Sequence, residues 1–175
     1  MTKEEILTVL YEQYLDYKGI NLTKNLLESN EQFYSALALG IETGKIKGFS
    51  MEFLNALDTL QMNGSGCLSL AFKEGLNIGA CTCASRLVSH IFENVNIAGG
   101  INKYLIGTKN SKDGSHTWIV TPDRKIYDTT FMMVIDEDFM KEMGYHEENR
   151  YNPLLNAFYR AEKDFVTSKN TEKIR

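Results

Sequence analysis

A segment with two alternating stretches, GSHTWIVTPDRKIYDTTF at residues 114–131, decides the fold. Apolar and polar residues alternate on both sides of a central turn, as in a half-buried β-hairpin. If residues 122–124 form a three-residue loop, Trp118 lies opposite Asp128. His116 is then the diagonal neighbour of Asp128 on the same face, at roughly 7–8 Å between backbones. A two-residue loop would turn Asp128 to the other face, so a contact between the histidine and the aspartate requires an odd loop.

The sequence on either side of the hairpin predicts an α+β protein. Residues 1–62 are expected to be a helical N-terminal region packed on a core at residues 63–175, with a loop or boundary at Asn63-Gly64. Helices followed by antiparallel strands and a last helix are typical of the α+β class. Three N-cap signals open the N-terminal helices: Thr2 with Glu5, Ser29 with Gln32, and Ser50.

Within the core, the apolar pattern predicts a long helix over residues 81–96, ended by Gly99-Gly100. A strand is expected over residues 101–108, before the hairpin. The predicted elements after the hairpin are an extension of its second strand over 130–135, a short helix capped by Asp136, and a last helix starting at Asn152-Pro153.

Composition and charge exclude several classes of function. The 175-residue chain has a net charge of −4 and no basic cluster, which argues against a nucleic-acid partner. No apolar run reaches the roughly 20 residues of a membrane span, and the N-terminus lacks the pattern of a signal peptide. The three cysteines are an odd count, so free thiols and a cytoplasmic location are expected. The oligomeric state stays open.

Cys81 is the cysteine best placed for chemistry. It follows Gly79-Ala80 at the expected start of a helix, where unpaired N–H groups and the helix dipole favour the thiolate. Cys83 is the rival, but two residues rotate it about 200° from Cys81. Either thiol could instead be a small buried hydrophobe. Neither cysteine can share a metal ion with His90 within one continuous helix, so no metal site is expected.

These pieces resemble the transglutaminase-like cysteine family of the papain-like superfamily. The matching motifs are Gly-Ala-Cys ending at Cys81, Arg86-Leu87 on the helix, His-Thr-Trp starting at His116, and Asp-Thr-Thr starting at Asp128. They cover residues 75–131, in the family's order of Cys, His and Asp. The resemblance implies a core with a nucleophile-bearing helix packed on an antiparallel sheet.

Carried over to this sequence, the resemblance makes Cys81 the nucleophile, His116 the general base and Asp128 the orienting acid. Asn77 and Trp118 are candidates for oxyanion or substrate binding. The sequence departs from the family pattern in three places, which blur any assignment to a subfamily. Cys83 stands where the family often has an Asp, Ser85 replaces the usual Ala, and Thr129 replaces the usual Pro.

The function expected from this triad is acyl transfer through a thioester, without a cofactor or metal. The substrate would be a peptide or protein amide, and the enzyme a cysteine peptidase, deamidase or transglutaminase. An enzyme similar to arylamine N-acetyltransferases, which share the triad order, is the second enzymatic reading. A catalytically inactive fold that serves as a protein-binding module is the alternative from another class. The sequence does not choose between water and an amine as acceptor.

Overall fold

The computed structural model describes residues 1–18, 30–62, 85, 89–92, 94–107 and 112–153. Within these ranges the chain is α+β, with helices packed against an antiparallel sheet of six strands. The helices are α1 (Lys3–Lys18), α2 (Glu31–Glu42) and α3 (Met51–Met62). The strands are β1 (Ile46–Gly48), β2 (Asn96–Asn102), β3 (Ser115–Val120), β4 (Lys125–Asp128), β5 (Met133–Asp136) and β6 (Tyr145–Tyr151).

At the start of each of the three helices, a side-chain oxygen accepts a hydrogen bond from a backbone N–H group that has no partner inside the helix. At α1, the Glu5 N–H donates to Thr2 Oγ1 at 3.1 Å, and the Thr2 N–H donates to the Glu5 carboxylate at 2.9 Å. This reciprocal pair confirms the predicted capping box. Ser50 is likewise confirmed as the cap of α3, since its hydroxyl accepts from Phe53 N–H at 3.1 Å. None of the described helices is long and apolar enough to cross a membrane.

The predicted cap of α2 is wrong by one residue. Asn30, and not Ser29, precedes the helix, and its side-chain oxygen accepts from Phe33 N–H at 3.1 Å. Asn and Ser are comparable N-caps, so two adjacent candidates cannot be separated by residue type alone. Ser29 itself lies outside the described residues.

The sheet joins the N-terminal region to the core. Its strand order is β1-β5-β4-β3-β2-β6, and every pair of neighbouring strands is antiparallel. The edge strand β1 comes from the region predicted to be purely helical, and Ile46 pairs with Ile135. The expectation of an all-helical N-terminal region is therefore wrong over Ile46–Gly48. Three residues are too few for a period-2 pattern to stand out between helices.

The register of the β3–β4 hairpin is the predicted one. Ile119 pairs with Tyr127, and Val120 pairs with Ile126. Thr121 N–H donates to the Lys125 carbonyl at 2.9 Å, which closes the odd loop. Arg124 in this loop has φ of +62°, the left-handed residue typical of a three-residue hairpin turn.

The predicted long helix over residues 81–96 is wrong in its second half. Ser89–Ile91 is a short 3₁₀ turn, and β2 already starts at Asn96. Asn94 lies between them with φ of +55°, a conformation that ends a helix and that Asn tolerates better than most residues. The predicted strand over 101–108 is also misplaced, because β2 ends at Asn102 and a 3₁₀ turn follows at Lys103–Leu105.

The chain after the hairpin also differs from the expectation. Residues 129–132 form a turn instead of extending β4, and β5 returns antiparallel to it. Asp136 precedes the expected short helix, a 3₁₀ turn at Glu137–Phe139, but its side chain makes no capping bond. The edge strand β6 was not predicted, because YHEENRY lacks apolar alternation. The predicted last helix beyond Pro153 lies outside the described residues.

Gly99 and Gly100 lie inside β2, where the sequence predicted a helix end. They face β6 at a bulge, since Gly99 pairs with Asn149 while Gly100 pairs with Glu147. A Cβ added to Gly100 would lie 2.0 Å from the His146 carbonyl oxygen. Glycine is therefore needed here for the close approach of the two backbones.

Replacing Gly100 with Ala is expected to lower the free energy of unfolding by about 2–3 kcal/mol, since the backbone of β6 must move. Gly99→Ala is the matched control. Its added Cβ meets only the Asn149 side chain, whose oxygen lies at 2.9 Å, and that side chain can rotate away. We expect a cost below about 1 kcal/mol for the control. Urea unfolding of both variants measures the difference, and equal costs would contradict the close-approach argument.

Candidate active site

A histidine and an aspartate form a buried pair on one face of the hairpin. His116 Nε2 lies 2.7 Å from Asp128 Oδ2, and the two side chains are 1% and 0% exposed. The odd loop produces this contact, because it puts residues 116 and 128 on the same face. The predicted contact between them is thus confirmed. Since an ionised carboxylate only accepts hydrogen bonds, Nε2 carries the proton that it donates to Asp128.

The other oxygen of Asp128 is held by the turn that follows β4. Oδ1 accepts hydrogen bonds from the N–H groups of Thr130, at 2.8 Å, and Phe131, at 3.0 Å. Burial by itself raises the pKa of Asp128. The charge of His116 and the hydrogen bonds from His116, Tyr145 and the Phe131 N–H outweigh burial, and they hold that pKa below its usual range. Asp128 is therefore a carboxylate at neutral pH.

Tyr145 is a member of the site that sequence reasoning missed. Its hydroxyl donates to Asp128 Oδ2, the same oxygen that His116 contacts. Burial, followed by the charge of Asp128 and this hydrogen bond, raises the pKa of Tyr145 well above its usual range. Tyr145 stays a neutral donor at all ordinary pH values. Only its position after Gly144 in a non-alternating segment marks it in the sequence, and that pattern carries no functional signal.

Three aromatic rings surround the imidazole. The centroid of the His116 ring lies 5.8 Å from that of Trp118, 5.9 Å from that of Phe131 and 6.1 Å from that of Tyr145. Trp118 is completely buried, and its indole N–H has no hydrogen-bond partner within the described part of the chain. A buried donor of this kind costs free energy unless it meets an acceptor.

The N-terminal helix α1 supports the turn that holds the acid. Tyr11 is buried, and its hydroxyl donates to the Phe131 carbonyl at 2.6 Å. The ring of Phe33 on α2 packs against Phe131 at 5.2 Å between centroids. The segment whose N–H groups bind Asp128 is therefore fixed from its other side by the N-terminal helices.

Ser85 is the only residue between positions 81 and 88 that the structure describes. It is helical and completely buried, and its hydroxyl donates to the Thr117 carbonyl on β3 at 3.4 Å. A helical residue from the predicted nucleophile segment thus contacts the strand that carries His116. The other sequence-predicted residues of this segment, Cys81, Cys83 and Asn77, lie outside the described residues, as does Cys67.

The described residues contain no group of three or more His, Cys, Asp or Glu side chains that could hold a metal ion. Within the described residues, the fold and the site together define an α+β protein with a buried and hydrogen-bonded His–Asp pair. Comparison with known proteins finds no matching family model, no matching curated protein and no matching solved structure.

Proposed function

We propose that this protein is a cysteine-nucleophile acyl-transfer enzyme with a transglutaminase-like core. In this proposal Cys81 attacks a peptide or side-chain amide, His116 moves the proton, and Asp128 orients the imidazole. The observation that carries the proposal is the buried contact of 2.7 Å between His116 Nε2 and Asp128 Oδ2. An acid that fixes the tautomer of a histidine is the support that a catalytic base requires.

The position of Ser85 supports Cys81 as the partner of His116. Residues four apart lie on the same side of an α-helix, one turn from each other. The sequence predicts that this helix starts at position 81, and in a helix of that length Cys81 would lie on the side on which Ser85 meets β3. The same helix directs Cys83 away, because it is about 160° from Ser85. The helix predicted from the sequence therefore favours Cys81 over Cys83.

The proposed reaction has two halves. The Cys81 thiolate forms a C–S bond with the amide carbon, and the carbonyl electron pair moves to oxygen. The C–N bond then breaks as protonated His116 gives its Nδ1 proton to the leaving amine, which leaves a thioester. Water or an amine next attacks the thioester while His116 Nδ1 accepts a proton, and the C–S bond breaks to restore the thiolate. Nδ1 is the reacting atom because Nε2 is used by Asp128.

Trp118 is proposed as a donor to the substrate oxygen that becomes negative. Its indole N–H is buried without an acceptor among the described residues, and its ring packs beside His116. The oxyanion of the tetrahedral intermediate would supply the missing acceptor. Asn77 remains a second proposed donor.

The test is the rate of iodoacetamide alkylation against pH, mapped by mass spectrometry to each of the three cysteines. We expect Cys81 alone to react quickly, with an apparent pKa well below the free value of about 8.5. Cys83 is the internal control. His116→Gln should slow Cys81 at least tenfold at pH 7, because the amide still donates to Asp128 but cannot take a proton. Equal reactivity of Cys81 and Cys83 would refute the proposal.

The second candidate is a protein-binding module in which the pair is structural. It is favoured by the burial of His116, whose side chain is only 1% exposed. A purely structural pair needs no reactive thiol, so the same alkylation experiment separates the two functions.

A further inference from the structure

We propose that Tyr145 is a positioning residue that sets the charge and orientation of Asp128, an inference that rests on the proposed function. Its hydroxyl donates to Oδ2, the oxygen that also accepts from His116. This tyrosine lies outside the stretch of chain on which the triad was recognised. It adds a fourth group, from the edge of the sheet, to the three predicted ones.

The hydrogen bonds to Asp128 explain why the extra donor matters. Oδ1 already receives two backbone N–H groups, and Oδ2 receives His116 and Tyr145. With four donors, the carboxylate is fixed in one plane and has little capacity for further partners. Tyr145 therefore prevents Oδ2 from turning away when the imidazole changes its charge.

Several contacts hold Tyr145 in place. It pairs with Asn102 across the β2–β6 ladder, and its N–H donates to the Met140 carbonyl at 3.1 Å. The buried Asn102 amide donates to the Met143 carbonyl at 3.0 Å, and Lys103 N–H donates to the Gly144 carbonyl at 2.9 Å. The ring packs edge-on against Trp118, at 4.9 Å between centroids. These contacts fix the backbone at Tyr145 and thereby place its hydroxyl against Asp128 Oδ2.

A donor that shares Oδ2 draws negative charge away from the bond to His116. The imidazolium is then held less strongly than it would be by Asp128 without Tyr145. Among the described residues, the titratable groups around His116 are Asp128 and Tyr145, with Tyr11 next to Tyr145. Tyr145 is a neutral donor, so removal of its hydroxyl changes hydrogen bonding but no formal charge.

The experiment compares Tyr145→Phe with wild type by two independent measurements. NMR follows the titration of the His116 ring, and alkylation follows the pH profile of Cys81. In Tyr145→Phe we expect the midpoint of the His116 titration to rise by about 0.5–1 pH unit. The upper end of the Cys81 profile should move in the same direction.

Tyr127→Phe is the matched control. Tyr127 precedes Asp128 on β4, faces the opposite side of the sheet and packs against Phe53 and Phe92. The same loss of one hydroxyl should leave both titrations at their wild-type positions. If Tyr145→Phe folds and shifts neither titration, the positioning role is refuted.

The two measurements also separate this inference from the proposed function. An inert Cys81 in wild type would refute the enzyme, whereas the NMR titration would still show whether Tyr145 acts on His116. A reactive Cys81 with an unmoved His116 titration in Tyr145→Phe would leave the enzyme standing and overturn the role of Tyr145.

Discussion

Asp128→Asn is expected to reduce the reactivity of Cys81 by a factor of about 10³–10⁴. An amide has one accepting oxygen and one donating nitrogen, whereas both carboxylate oxygens of Asp128 now accept from donors. If the amide nitrogen faces His116, it forces Nε2 to become the acceptor and puts the ring proton on Nδ1. A histidine in that tautomer cannot take a proton from the thiol.

The opposite orientation of the amide is no better. The amide nitrogen would then take the place of Oδ1. It is a donor, and it would face two other donors, the N–H groups of Thr130 and Phe131. We therefore expect Asp128→Asn also to lower the free energy of unfolding by about 2–4 kcal/mol. Alkylation and urea unfolding measure the two effects on the same sample.

Asp136→Asn is the control for the loss of a carboxylate. Asp136 ends the neighbouring strand β5 and forms ion pairs with Lys45 and Lys125 at the surface. A surface pair of this kind contributes about 0–1 kcal/mol. The control should keep wild-type reactivity at Cys81. Asp128→Asn that folds and reacts at the wild-type rate would show that the acid has no role.

The hairpin could be predicted because its register is a local property. The side chains of a strand alternate with a period of two, so the parity of the loop decides whether His116 and Asp128 share a face. Five consecutive polar or turn-forming residues at 121–125 fixed where the loop lies. The paired strands in the structure have that register.

The partners that sequence reasoning missed come from distant parts of the chain. Tyr145 reaches Asp128 from β6 at the other end of a four-strand stretch, β4-β3-β2-β6. Tyr11 reaches the carbonyl of Phe131 across 120 positions. Periodicity reports which side of an element is buried, and it does not report which element will lie against it.

The N-terminal region supports the part of the sheet that carries Asp128. Its strand β1 extends the sheet at β5, and its helix α1 binds the turn of Phe131. That turn supplies two of the four hydrogen bonds to Asp128. The N-terminal helices thus stabilise the turn that binds Asp128.

The stability of the protein is expected to depend on pH through Asp128. The pKa of Asp128 is lowered in the folded state: burial opposes ionisation, but the charge of His116 and the hydrogen bonds it receives prevail. A carboxyl whose pKa is lowered by folding stabilises the protein at every pH above its pKa in the unfolded chain, which is about 3.9. That contribution is lost as the pH falls through the folded value. Each unit by which folding lowers the pKa of Asp128 adds about 1.4 kcal/mol to the free energy of unfolding.

The free energy of unfolding, measured by urea titration between pH 6 and pH 2, tests this dependence. Trp118, the single tryptophan of the chain, is completely buried and reports unfolding by fluorescence. Wild type should lose its advantage over Asp128→Asn as the pH falls below about 4, because protonated Asp128 no longer attracts the imidazolium. Asp136→Asn should show a much smaller change with pH, because the pKa of Asp136 is lowered by a hydrogen bond to Lys125 and by lysine charges at the surface, and about 0.5 M salt screens those charges. An advantage over Asp128→Asn that is unchanged down to pH 2 would mean that His116 and Asp128 are not held as an ion pair.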